Sequence, residues 1–87
     1  MKLLTIGFEF SGEYHYAIIQ RKEKDDATHY QATVMNGRLE KILFGKHIFT
    51  EKQNSILLEL NDEESEQAKL RRKIAEALSQ HLQKALI

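Results

Sequence analysis

Residues 3–10 alternate. Leu4, Ile6, Phe8 and Phe10 fall on one side, and Leu3, Thr5, Gly7 and Glu9 fall on the other. Period two over this length predicts a half-buried strand. Ser11-Gly12 supplies turn chemistry. A second alternating run follows from Glu13 to about Arg21, with Tyr14, Tyr16 and Ile18 on one face and His15, Ala17 and Ile19 on the other. Pairing Phe10 with Tyr14, Phe8 with Tyr16 and Ile6 with Ile18 would group aromatic and β-branched partners on one face. That register needs a three-residue loop or a bulge in place of a two-residue turn. It also places Tyr14 and Tyr16 with the core.

Lys22–Ala27 reads as a mixed-charge hairpin loop, followed by a third strand over Thr28–Met35. In that strand Tyr30, Ala32 and Val34 oppose His29, Gln31, Thr33 and Met35. Asn36-Gly37 comes next, the strongest short hairpin signal in the chain, because both residues tolerate the positive φ of a type I′ turn. A fourth strand is expected over Arg38–Phe44. Its alternation blurs at Ile42, Leu43 and Phe44, which requires two covered faces or a bulge near Gly45. Residues 47–50 and 55–60 suggest one further hairpin around Glu51-Lys52-Gln53-Asn54.

From Asn61-Asp62 the period changes. Leu70, Ile74, Leu78, Leu82 and Leu86 recur every four residues, widened by Ala75, Ala77 and Ala85. Lys69, Arg72, Lys73, Glu76, Gln80 and Gln83 fall on the opposite arc. Asn61 with Glu64 resembles a capping box, and acidic residues crowd the first turns. A helix over about 62–86 would have ~24 residues and measure ~36 Å. A strand of about eight residues spans ~26 Å, so one end of the helix should overhang the sheet, fray or meet a partner. Together these elements predict an α+β fold in a single domain over residues 1–87. Its antiparallel meander of four to six short strands is followed by one long C-terminal amphipathic helix on one sheet face.

With 87 residues the chain has room for one thin core. Hydrophobic residues make up 41% and charged residues 30%, a globular balance. Thirteen basic residues match thirteen acidic ones, so nothing global favours nucleic acid or an anionic membrane. Cysteine is absent, which excludes disulfides, thiolate metal sites and cysteine nucleophiles. The apolar opening is interrupted by Glu9, too early for a signal peptide. No apolar run is long enough for a membrane span. The expected location is cytoplasmic.

Candidate chemistry is sparse. His15, His29, His47 and His81 lack the spacing of a local metal chelate, and no metal ligand or cofactor is assigned. His15 and His29 share a face if their strands pair with even parity, and both are expected to face solvent. Lys69, Arg71, Arg72 and Lys73 form a candidate anion-binding run, although a helix spreads such cations around its axis. Tyr14, Tyr16 and Tyr30 could stack bases only on an open sheet face with basic neighbours. No spacing picks out catalytic residues, so the reading leans away from an enzyme.

Surplus apolar surface on the helix and on Ile42–Phe49 points to a protein-interaction module, with a second copy or another protein as partner. Its candidate interface is Leu78, His81, Leu82, Leu86 and Phe49. The first alternative is a nucleic-acid-binding module using the basic helix segment. The second is a small-ligand or metal-binding domain.

Overall fold

The computed structural model of the protein describes residues 3–58 and 65–87. Its strands are β1 (Leu3–Phe10), β2 (Glu13–Lys24), β3 (Ala27–Val34), β4 (Ile48–Lys52), β5 (Ser55–Ile56) and β6 (Ala85–Leu86). Two helices interrupt them: α1 (Gly37–Leu43) between β3 and β4, and α2 (Glu66–Leu82) between β5 and β6. The strands form one sheet in the order β1-β2-β3-β4-β5-β6. All neighbours are antiparallel except β5 and β6, which run parallel. The α+β class and the C-terminal helix on one sheet face are as the sequence predicts.

Three two-residue turns set the sheet. Ser11-Gly12, Asp25-Asp26 and Gln53-Asn54 all have positive φ at both positions, as a type I′ turn requires. The first pairs Phe10 with Glu13, Phe8 with His15 and Ile6 with Ala17. This corrects the expected register by one residue, and a one-residue shift moves a strand's whole side-chain set to the other face. Leu4, Ile6, Phe8 and Phe10 therefore share the inner face with His15, Ala17 and Ile19, while Tyr14, Tyr16 and Ile18 lie on the outer face. The expected loop at Lys22–Ala27 shrinks to Asp25-Asp26, and β2 runs on to Lys24.

The fourth strand expected at Arg38–Phe44 is a helix. Asn36-Gly37 makes no hairpin: Asn36 has extended backbone (φ −161°, ψ 115°), and its side-chain oxygen accepts from Leu39 N at 3.1 Å. It is an N-cap, a second use of the same short polar side chain. Helical spacing turns Leu39 and Leu43 into the core. The run Ile42-Leu43-Phe44, read as a two-faced strand, is the C-terminal turn of α1. Phe44 then adopts a left-handed conformation (φ 46°, ψ 55°), and Gly45 follows at φ 81°.

Helix α2 is shorter than expected. Ser65 caps it, accepting from Ala68 N at 3.0 Å, and the expected start at Asn61–Glu64 lies outside the described residues. Gln83 turns left-handed, and Lys84 N donates to Ser79 O at 2.9 Å, which closes the helix after Leu82. Its 17 residues measure ~26 Å, the length of an eight-residue strand. The predicted overhang does not occur. Leu86 continues the four-residue apolar spacing from a strand, packed against the core at the end of the sheet.

Both helices cover the inner face. Leu70, Ile74 and Leu78 of α2 are fully buried with Leu39, Leu43, Tyr30, Phe49 and Ile56. Ala17 and Ala32, also fully buried, leave room for that packing at the centre of the sheet. Gln67 Nε2 donates to Leu43 O at 2.8 Å, which also accepts from Lys46 N at 2.9 Å, so α2 and the following loop together satisfy a carbonyl at the end of α1. Asn36→Ala should lower the stability by about 1 kcal/mol. Urea unfolding should show an earlier midpoint at an unchanged slope; an unchanged midpoint would remove Asn36 from this account.

Candidate functional site

Among the described residues no helix lies over the outer face of β1–β3. Leu3 (60% exposed), Tyr14 (61%), Tyr16 (53%) and Met35 (66%) lie on that side or at its border, with half-buried Ile18 between them. Tyr16 stands opposite Gly7, and Ile18 stands between Thr5 and Thr33. The Tyr14 ring lies over Gly7, where a Cβ atom would come within 2.8 Å of three of its atoms. Gly7 thus gives Tyr14 a flat backbone floor, and Tyr14 shelters a weak point of β1. The two tyrosine rings meet edge to face, with centroids 5.3 Å apart and planes at 79°.

Charge is confined to the ends of this face. Glu9 pairs with Tyr14 at one end. Lys22 lies toward the other, where its Nζ donates to Gln31 Oε1 at 3.0 Å. Tyr30, grouped with these tyrosines from the sequence, is buried on the opposite face. The two-residue reading of Ser11-Gly12 was the signal that could have found the exposed pair.

The basic helix run divides. Lys69, Arg72 and Lys73 line an open groove of 410 Å³ with Glu66, Phe10 and Ser11. Arg71 leaves the group: its guanidinium carbon sits 4.5 Å from the centroid of Phe49, and it donates to the carbonyls of Lys46 and Ile48. It is a packing residue that holds the chain entering β4. Of the expected helix interface, Leu78 and Phe49 are fully buried within the chain itself. Leu82 and Leu86 are half-buried against the core, and only His81 of the five is exposed.

The histidines do not converge. His15 is on the inner face and buried, 5.8 Å from the Phe8 ring, with no hydrogen-bond partner at Nε2 among the described residues. This corrects its expected solvent exposure. His29 lies on the outer face with Nδ1 3.2 Å from Thr50 Oγ1. His47 Nε2 lies 3.1 Å from Glu40 Oε2, a carboxylate that also accepts from Val34 N at 2.9 Å. No group of three metal-ligating side chains occurs among the described residues.

A polar network closes the far end of the sheet. Tyr30 donates its hydroxyl to Glu51 Oε1 at 2.5 Å. Lys84 Nζ donates to Glu51 Oε2 at 2.6 Å and to Asn54 Oδ1 at 3.0 Å. Burial alone would raise the Glu51 carboxyl. Hydrogen bonds from Lys84 and Tyr30, with the Lys84 charge, outweigh burial and hold it below the ordinary value. Burial first, then the bond to Glu51, pushes the Tyr30 phenol up to about 12. No family model, curated protein or solved structure matches this chain.

The network makes stability depend on pH at both ends. Glu51, depressed in the folded state, contributes above the carboxyl pKa of the unfolded chain and stops contributing as pH falls through its folded value. Tyr30, raised, contributes below pH 10 and loses that contribution as pH climbs toward about 12. Lys84→Met should cost about 1–3 kcal/mol at neutral pH and start acid unfolding at a higher pH. Tyr30→Phe should flatten the alkaline decline. Circular dichroism melts across pH check both, and wild-type curves from both variants would refute the assignment.

Proposed function

We propose that the chain is a non-enzymatic protein-interaction module that docks through the uncovered face of β1–β3. One observation carries this reading: three long strands display Tyr14, Tyr16, Ile18, Leu3 and Met35 while both helices pack on the other side. Tyrosine and methionine are enriched at protein interfaces, tyrosine because it offers a large rigid contact area at low entropic cost and methionine because its flexible side chain adapts to a partner. Thr5, Thr33 and the two tyrosine hydroxyls add hydrogen-bonding groups around that apolar patch.

The nucleic-acid alternative needs stacked aromatics and cations on one surface. Here Gly7, Thr5, Ile18 and Glu9 surround the tyrosines. Lys69, Arg72 and Lys73 lie on α2, across the sheet from them. Neither surface combines both requirements, and the net charge of zero supplies no general attraction to phosphate.

A photo-crosslinking residue at position 16 of the full chain, in cells that make it, tests the reading against the same residue at position 73. Position 16 should capture a protein. Tyr14→Ala should weaken the purified pair at least about 30-fold, the loss of a hot spot of about 2 kcal/mol, while circular dichroism still reports the folded chain. Capture at position 73 alone, with salt-dependent retention on an oligonucleotide column, would favour the nucleic-acid reading.

A further inference from the structure

Among the described residues no strand lies beside the outer edge of β1, and that edge is built to pair. The two-residue turn makes Phe10 and Glu13 a hydrogen-bonded pair, and bonded and non-bonded pairs alternate from there. Glu9↔Tyr14, Gly7↔Tyr16, Thr5↔Ile18 and Leu3↔Gln20 are then the non-bonded pairs. The Tyr16 carbonyl confirms the phase, since it accepts from Met35 N on the β3 side at 2.9 Å. The backbone N–H and C=O groups of Leu3, Thr5, Gly7 and Glu9 therefore point away from the sheet.

Proteins normally blunt such an edge with proline, lysine, a bulge, a short strand or a covering segment. β1 has eight residues in unbroken register, without proline or lysine, and its only charge is Glu9. The opposite edge, β6, has two residues.

We infer that β1 pairs antiparallel with β1 of a second copy across a twofold axis at Ile6, joining the two sheets into one. The inference rests on the interaction-module reading and names one partner. In this register Leu3 meets the partner copy's Glu9 and Thr5 meets its Gly7, so all the outward backbone groups find partners at two bonds per pair. On the inner face Ile6 meets its own copy and Leu4 meets Phe8. That covers Leu4, which faces the core yet is only half-buried in the single chain. The two Glu9 carboxylates lie ~20 Å apart along the strands, and the neutral chain adds little repulsion between copies. A second copy thus satisfies the edge in hydrogen bonding, apolar pattern and charge together.

Thr5→Pro is the selective probe. The Thr5 N–H faces outward, so proline there removes no bond within the monomer and blocks pairing. Light scattering after size exclusion of the full chain at ~100 μM should give a dimer mass for wild type. For Thr5→Pro it should give a monomer mass with the same circular dichroism, equivalent to at least a 100-fold weaker dimer. Hydrogen exchange of wild type, which needs no variant to fold, should show the Thr5, Gly7 and Glu9 amides protected at high concentration and exposed on dilution. A wild-type monomer, a Thr5→Pro dimer, or amides that exchange freely at high concentration would overturn the pairing. A monomer that still captures a protein through position 16 would overturn the pairing alone. A dimer without that capture would overturn the docking face alone.

Discussion

The structure depends on the register of its first hairpin. Ser11 and Gly12 both take positive φ and close the turn in two residues. That geometry fixes Phe8 against His15, and every later placement on the sheet follows in steps of two. One more residue in the turn would put the tyrosines in the core, with His15, Ala17 and Ile19 outside. The observed register puts Leu4, Ile6, Phe8, Phe10, Ala17 and Ile19 on the inner face with His15, and it leaves the Tyr14 and Tyr16 rings in solvent.

The second constraint is that one face must hold both helices. α1 and α2 can share it because Ala17 and Ala32 keep the sheet centre low and because Gln67 of α2 bonds the last carbonyls of α1. β6 is too short to hold itself. Lys84 reaches back to Glu51 and Asn54, and the backbones of Ile56, Leu58 and Ile87 bond around it. The partly buried polar triad of Tyr30, Glu51 and Lys84 thus fastens the end of the chain to β3 and β4. Its perturbed groups have a structural explanation and need no catalytic one.

Strict alternation made β1, β2 and β3 legible in the sequence, and the four-residue apolar spacing made α2 legible. Two errors came from local patterns that suit more than one conformation. Asn36 suits a type I′ turn and a helix N-cap equally well, and only the packing of Leu39 and Leu43 decides between them. Ile42-Leu43-Phe44 is too short a run to separate helix from strand by period. Leu82 and Leu86 kept the helical spacing through a left-handed turn, so the exit at Gln83 left no hydrophobic trace. The candidate site suffered most. The apolar residues chosen from the helix arc proved to be core or core-bordering, and the exposed Tyr14 and Tyr16 were hidden by a register wrong by one.

Both the open face and the open edge of this molecule follow from that register. The most direct measurement is the pattern of cross-strand Hα–Hα nuclear Overhauser effects in the first hairpin, where non-bonded pairs bring their Cα atoms to about 4.5 Å. The account predicts strong effects for Glu9–Tyr14 and Gly7–Tyr16. Strong effects for Glu9–His15 and Gly7–Ala17, the non-bonded pairs of the register shifted by one, would place the tyrosines in the core and contradict it.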